Sequence, residues 1–209
     1  MHIYVFGSLC RGDIDHGSDI DLLAIVDGFD KRFDPNTFSV YSYKRLKQLW
    51  DEGNPFSWHL AAESRLIYSS NDTNFIRSLG SPSEYKNCKG DCLKFYQLYK
   101  KAITSIHSES ASHVFELSSI FLAIRNFATC YSLGLNKLGN FSRHSALHLG
   151  GDSLKISKET YEILERSRLL SIRGVGNFIE NKEVEKAVSE SSKITEWMDY
   201  LLEEVKKNG

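Results

Sequence analysis

Two short apolar runs near the start of the chain enclose a polar loop, and this arrangement constrains the fold more than any other feature. The first run ends in Gly7-Ser8, and the second follows directly on Asp19-Ile20-Asp21. Each run has the length of a β-strand, so the segment predicts two strands joined by a loop. The Gly7-Ser8 turn consists of small residues, which allow backbone amides to approach phosphate oxygens closely.

Asp19 and Asp21 are two positions apart, where the second apolar run begins. Strand side chains alternate between faces, so both carboxylates are expected on one face, roughly 7 Å apart at Cα. Ile20 and Leu22 would then point into the core. Two ionised carboxylates repel by about 4 kcal/mol at 4 Å in a surface-like dielectric, and a bound cation offsets this repulsion. We expect Mg²⁺, which accepts carboxylates, water and phosphate oxygens, with Mn²⁺ as the alternative. An ordinary hairpin with an exposed acidic loop is the non-functional interpretation.

The same residues resemble the nucleotidyltransferase superfamily that includes DNA polymerase β, in its small prokaryotic form. The resemblance rests on Val5-Phe6-Gly7-Ser8, on Arg11-Gly12 and on Ser18-Asp19-Ile20-Asp21-Leu22, all in the N-terminal part of the chain. It implies that a nucleoside triphosphate is contacted by Gly7, Ser8, Arg11 and Ser18. It also implies that Asp19 and Asp21 are catalytic residues that ligate Mg²⁺.

The superfamily usually has a third carboxylate on the next strand, where it helps to bind metal and activate the acceptor hydroxyl. The corresponding predicted strand here offers Ser39 or Tyr41 in that place and has no acid. Asp34, just before this strand, and Glu63, further along the chain, are the two candidate catalytic substitutes. His59 is four residues before Glu63, so the two are expected to share a helical face.

Composition excludes several classes of protein. The 209 residues are 41% hydrophobic, which suffices for one good core or two small ones. The net charge of −1 argues against a generally cationic nucleic-acid binder, although a local basic patch is compatible with it. The four cysteines show no disulfide-framework spacing, and no apolar run approaches about 20 residues. We expect no signal peptide, because the first apolar run stops at Phe6. We therefore expect a cytoplasmic protein without a membrane-spanning segment.

The expected fold class is α+β, with a small mixed-sheet nucleotidyltransferase domain at 1–80 followed by an all-α helical bundle at 81–209. Strands are predicted at 2–7, 20–26, 37–43 and 65–69, and short helices at 44–52 and 56–63. The segment 114–131 is apolar nearly all round, as is typical of the buried centre of a bundle. A final amphipathic helix is expected at 183–206.

Several cations in the second half of the chain have two interpretations. Arg125 lies within the most apolar helix, where a charged group needs a partner or a place at the bundle's edge. Further cations either face an anionic ligand or lie on a solvated helix surface; these are Arg143, His144, Arg166, Arg168 and Arg173.

The resemblance implies transfer of a nucleoside monophosphate from a nucleoside triphosphate to a hydroxyl acceptor. That acceptor is a small molecule such as an aminoglycoside-like compound, a protein side chain or an RNA end. The alternative is a non-catalytic, nucleotide-binding or antitoxin-like regulatory partner that lacks the third carboxylate. Assembly into a homo-oligomer is left open.

Overall fold

The computed structural model describes residues 1–14, 20–108 and 112–208, and the chain divides into two units, Met1–Lys86 and Asn87–Gly209. The first unit contains four strands and four helices among the described residues. In chain order they are β1 (His2–Phe6), α1 (Ser8–Arg11), β2 (Asp21–Ile25), β3 (Phe38–Tyr41), α2 (Tyr43–Asp51), α3 (Pro55–Glu63), β4 (Ser64–Ser69) and α4 (Phe75–Ser78). The α+β fold class is thereby confirmed.

The strands form one mixed sheet in the order β3-β2-β1-β4. Strand β1 pairs antiparallel with both β2 and β4, whereas β2 and β3 run parallel. The edge of the sheet at which β1 ends is therefore the edge at which the other three strands begin.

The main core of the first unit lies on one face of this sheet. Alternate residues of β1 and β2 pack there with the apolar sides of the helices; the buried members are Tyr4, Phe6, Leu23, Ile25, Leu46, Leu49, Trp50, Leu60 and Ile76. The helix boundaries follow from local capping. The Ser42 hydroxyl accepts a hydrogen bond from the Arg45 amide at the start of α2, and the Asn54 side chain accepts one from the Phe56 amide at the start of α3.

The second unit is helical throughout the part that the structure describes. It contains α5 (Cys88–Ser105), α6 (His113–Leu135), α7 (Lys158–Arg173), α8 (Asn181–Ser189) and α9 (Ser191–Asn208), with 3₁₀ turns at Ser145–Leu147 and Gly150–Asp152. Helix α6 is buried on nearly all sides between residues 117 and 133 and packs against α5 and α7, so the prediction of a central buried helix is confirmed. No helix among the described residues is long and apolar enough to cross a bilayer.

The expected single helix at 183–206 is wrong, because the chain breaks at Glu190 between α8 and α9. The Glu190 carboxylate accepts hydrogen bonds from the Ser157 amide (3.1 Å) and the Thr160 hydroxyl (2.9 Å), and it pairs with Lys193 at 3.0 Å. Burial alone would raise the pKa of Glu190, but these hydrogen bonds outweigh burial and hold it at about 2. The break therefore serves to place an ionised carboxylate at the start of α7.

None of the four cysteines, all of which the structure describes, is in a disulfide. Cys88, Cys92 and Cys130 are buried together between α5 and α6, where the Cys88 and Cys92 sulfurs lie 4.0 Å apart. Cys10, in α1, is the one that is partly exposed.

Candidate active site

Three of the predicted site residues, Gly7, Asp21 and Glu63, lie at the edge of the sheet at which β1 ends. Phe6, the last residue of β1, pairs with Asp21 of β2 on one side and with Ser64 of β4 on the other. Gly7 follows β1 and Glu63 immediately precedes β4. The strand directions therefore bring Gly7, Asp21 and Glu63 together, although Gly7 and Glu63 are 56 positions apart in the chain.

Gly7 is in close contact with Asp21. Its backbone has φ 75° and ψ −139°, a conformation that residues with a side chain strongly disfavour. A Cβ at this position would lie 2.5 Å from the Asp21 Oδ2 atom. The Gly7 amide donates to the Glu63 carbonyl at 3.2 Å, and the Gly7 carbonyl accepts from the Cys10 amide at 3.0 Å, where α1 begins. The turn is thus fixed between the Asp21 side chain and the Glu63 backbone.

Asp21 opens β2 on the face that carries the main core. Alternation along the strand places its side chain on the side of Leu23 and Ile25, and it is half-buried. Ile20 precedes the strand and is 62% exposed, so the expectation that it points into the core is wrong; an unpaired residue before the strand does not share its alternation. Leu22 lies on the opposite face and is half-buried. Asp19 and Ser18 lie outside the described residues, and their roles stay predictions.

Glu63 is the centre of a small charged cluster beside this turn. Its Oε2 atom accepts a hydrogen bond from Arg11 Nη1 and lies 3.0 Å from His59 Nε2. The three side chains are 14–20% exposed. Arg11 also donates from Nε to Asp13 at 3.0 Å, while the His59 ring meets the Phe6 ring edge-on at 5.5 Å. The predicted phosphate contact Arg11 is therefore held beside a predicted catalytic carboxylate.

Asp34 is bound within its own turn. Its Oδ1 atom accepts hydrogen bonds from the backbone amide (3.0 Å) and the side chain (2.9 Å) of Asn36, and its side chain is exposed. In β3, which follows, Ser39 pairs with Leu23 and Tyr41 with Ile25. Hydroxyl side chains thus lie in β3 beside β2, and Asp34, which precedes this strand in the chain, stabilises the turn that leads into it.

The donors at this edge suit a hard divalent cation. Asp21 presents carboxylate oxygens beside a turn made of backbone, and oxygen ligands are what Mg²⁺ and Mn²⁺ prefer. Within residues 1–14, 20–108 and 112–208, no three His, Cys, Asp or Glu side chains are grouped closely enough to hold a metal. Asp19, the predicted second ligand, lies outside those ranges, and Asp21 is the predicted ligand that lies within them.

The pKa of the Cys10 thiol is shifted by its surroundings near the turn. Burial raises the pKa of its thiol above the ordinary value, and the Arg65 guanidinium opposes that shift. Its sulfur lies 3.4 Å from the Val5 carbonyl, so the thiol is anchored to β1. The spacing of residues in the sequence gave no signal for this contact.

Comparison with known proteins gives a match in the same part of the chain. Residues 2–85 match the family model described as a nucleotidyltransferase domain, which spans nearly the whole first unit and includes the Gly7 turn, Asp21 and Glu63. No curated protein gives a significant match to the chain. The segment 2–85 therefore belongs to the nucleotidyltransferase domain family, as the motif around Gly7-Ser8 and Asp19-Ile20-Asp21 predicts.

Proposed function

We propose that the chain is a Mg²⁺-dependent nucleotidyltransferase that moves a nucleoside monophosphate from a nucleoside triphosphate to a hydroxyl acceptor. One observation carries the proposal: in a domain of this family, the Asp21 carboxylate lies against the backbone of the Gly7 turn. A triphosphate seated on that turn would have its oxygens beside the metal-binding carboxylate.

The residues of the turn have complementary roles in this proposal. Gly7 keeps the backbone accessible because it has no side chain, and Ser8 supplies a hydroxyl and an amide. Arg11 offers a planar set of donors to phosphate oxygens. By the family motif, Ser18 would contact the nucleotide, and Asp19 and Asp21 would bind the metal. Bound Mg²⁺ supplies charge neutralisation at the phosphate oxygens.

Glu63 is our first candidate for the residue that orients or deprotonates the acceptor hydroxyl. It is half-buried at the same edge as Asp21, and Arg11 and His59 hold its carboxylate in one position. A positioned base typically contributes a factor of about 10² to 10⁴ in rate. Asp34 is the second candidate, although its carboxylate is already engaged by Asn36.

Calorimetry with a non-hydrolysable nucleoside triphosphate tests the binding part of the proposal. Asp21→Asn is expected to weaken Mg²⁺-dependent binding at least tenfold, because a metal ligand is lost. Asp51→Asn removes the same charge from an exposed position at the end of α2 and serves as the control. Equal affinities for Asp21→Asn and the unmodified protein would contradict the proposed site.

Labelled nucleoside triphosphates incubated with the protein and a cell lysate test the transfer itself. Separating the products into small molecules, proteins and RNA shows which class of acceptor receives the label. Glu63→Gln is expected to lower transfer by a factor of about 10² or more while nucleotide binding is kept. Asp34→Asn, measured in parallel, separates the two candidate carboxylates.

A second candidate function is a non-catalytic, nucleotide-binding regulatory partner. The contacts of Glu63 favour it, since a carboxylate held by Arg11 and His59 can be structural rather than catalytic. Metal-dependent nucleotide binding without any transfer, across all four nucleoside triphosphates and a lysate, would support this function over the first.

A further inference from the structure

The salt bridge between Arg11 and Glu63 competes with the phosphate contact that the proposed function gives to Arg11. Arg11 donates from Nη1 to Glu63 and from Nε to Asp13 at 3.0 Å, so two carboxylates already use two of its donor atoms. In the proposed function the same guanidinium donates to phosphate oxygens. A triphosphate carries several negative charges and attracts this cation strongly. Nucleotide binding should therefore weaken the contact between Arg11 and Glu63.

His59 gives Glu63 a second contact that does not depend on Arg11. Its Nε2 atom lies 3.0 Å from Oε2 of Glu63, and the two side chains are only 14% and 15% exposed. Both residues belong to α3, where positions four apart lie on the same face. A contact between two largely buried polar groups is stronger than the same contact in water. His59 and Glu63 should therefore stay together when a ligand draws Arg11 away.

Aromatic neighbours fix the direction of the His59 ring. The ring meets Phe6 edge-on, with centroids 5.5 Å apart and planes at 79°, and it meets Phe56 in the same manner at 6.5 Å and 77°. Phe6 is the last residue of β1 and is buried in the core of the first unit. The position of the His59 Nε2 atom is therefore set by this core and not by α1, which carries Arg11.

Glu63 is held at its backbone and at one carboxylate oxygen. Its carbonyl accepts a hydrogen bond from the Gly7 amide at 3.2 Å, and both Arg11 and His59 contact Oε2. Within residues 1–14, 20–108 and 112–208, no residue donates a hydrogen bond to the other oxygen, Oε1. A carboxylate oxygen accepts further hydrogen bonds, so Oε1 is open to an outside hydroxyl.

The transfer step requires Glu63 to be in place at the moment of reaction. In this step the acceptor hydroxyl gives its proton to Glu63, and its oxygen forms a bond to the α-phosphorus. The bond between the α-phosphorus and the bridging oxygen breaks, and pyrophosphate leaves with that electron pair. The nucleotide is already bound at this moment, so Arg11 is engaged by phosphate oxygens and His59 is the contact that remains on Oε2.

We propose that His59 is a positioning residue for Glu63. It holds the Glu63 carboxylate at the acceptor hydroxyl while Arg11 donates to the triphosphate. The inference rests on the proposed function and adds to it a residue that contacts neither the nucleotide nor the acceptor. It also gives Arg11 two successive partners, which are Glu63 before nucleotide binding and phosphate oxygens after it.

Four variants of the full chain separate the position of the Nε2 atom from the packing of the ring. His59→Phe keeps a ring against Phe6 and loses both nitrogens. His59→Gln loses the ring, but its amide nitrogen lies as far along the side chain as Nε2, whereas the amide of His59→Asn is one methylene shorter. His107→Phe makes the same change as the first variant at an exposed position of the second unit and is the control.

The readouts are transfer of label from α-phosphate-labelled ATP, CTP, GTP and UTP in a cell lysate, and calorimetry with Mg²⁺ and a non-hydrolysable triphosphate. We expect His59→Phe and His59→Asn to lower transfer at saturating nucleotide by about tenfold or more, because a small misplacement of a reacting group costs up to about 10² in rate. His59→Gln should restore most of the transfer, and His107→Phe should leave it unchanged. Affinity for the triphosphate should change less than about twofold in all four, since the contact acts in the transfer step.

Circular dichroism checks that each variant is folded. Should His59→Phe be unfolded, the comparison of His59→Asn with His59→Gln decides, because the two differ only in the reach of the same amide group. Equal transfer in these two variants would overturn the inference, as would unchanged transfer in His59→Phe.

Two further results would overturn the inference while the proposed function stands. Transfer that is kept in His59→Phe and lost in His59→Gln would show that the ring acts through its packing against Phe6. A loss of nucleotide affinity as large as the loss of transfer would show that His59 acts on the nucleotide and not on Glu63. Absence of transfer by the unmodified protein would instead refute the proposed function, and the inference with it.

Discussion

Replacing Gly7 with alanine tests the contact between the β1 turn and Asp21. The backbone conformation at Gly7 is nearly restricted to glycine, so any side chain is expected to cost about 1–3 kcal/mol in strain. The new Cβ would also lie 2.5 Å from Asp21 Oδ2, which real Cβ atoms do not tolerate. Asp21 must then turn away, so the substitution should affect metal-dependent nucleotide binding as well as stability.

Gly12→Ala is the matched control in the same loop. Gly12 also has positive φ (80°, with ψ 12°), but a Cβ there would meet nothing within 4 Å. It carries only the left-handed backbone cost, about 1–2 kcal/mol. If Gly7→Ala costs about 3 kcal/mol, it should lower the melting temperature of the first unit by about 12–24 °C. If Gly12→Ala costs about 1 kcal/mol, the corresponding decrease is about 4–8 °C.

The assays are thermal unfolding followed by circular dichroism and calorimetry with Mg²⁺ and a non-hydrolysable nucleoside triphosphate. Gly7→Ala is expected to weaken metal-dependent binding at least tenfold at a temperature where the variant is folded, while Gly12→Ala keeps most of it. Equal stability of the two variants, with nucleotide affinity unchanged from the unmodified chain in both, would refute this reasoning. The position of the Asp21 side chain would then not require a residue without a Cβ at position 7.

Three further predictions concern stability. The pKa of Glu190 lies below its unfolded value, so its stabilisation, up to about 3 kcal/mol, is present above about pH 4.5 and is lost as pH falls toward 2; Glu190→Gln should flatten that pH dependence of unfolding, whereas exposed Glu162→Gln should not. Gly134→Ala would place a Cβ on the Cys88 side chain and cost about 1–3 kcal/mol by urea unfolding; Cys88→Ala should restore part of this loss, and strict additivity of the two would argue against the contact. Trp50→Phe removes an indole hydrogen bond of 2.9 Å to a backbone carbonyl from a buried site, so we expect a loss of about 1–3 kcal/mol, and an unchanged unfolding midpoint would contradict it.

Much of the first unit could be predicted from short-range patterns. Its strands and two of its helices lie where the apolar spacing indicates, because alternation and helical periodicity are read within a few residues. The error at Ile20 has the same origin: spacing predicts which face a residue takes only if the strand has already begun. The break at Glu190 was missed because its cause, hydrogen bonds from Ser157 and Thr160, lies more than 25 residues away and no Gly or Pro marks it.

The site shows the same division between local and distant signals. The spacing of four residues predicts that His59 and Glu63 share a helical face, and the structure confirms it. The pairing of Arg11 with Glu63 was not predictable from spacing, because it depends on β4 lying beside β1 in the sheet. Asp34 was proposed for its proximity to β3 in the chain, but the sequence could not show that the neighbouring Asn36 would engage its carboxylate.

The distribution of the cysteines gives the molecule a natural attachment point for a reporter. Three of the thiols are buried between α5 and α6, whereas Cys10 is partly exposed in the turn that follows Gly7-Ser8. A maleimide fluorophore should therefore react at Cys10 in the folded protein without any cysteine being removed. Because burial raises the pKa of this thiol, labelling is expected to be slow at neutral pH and to accelerate in alkaline buffer. The dye would then lie within one helical turn of the proposed phosphate contacts Ser8 and Arg11, and its fluorescence should respond to nucleotide binding.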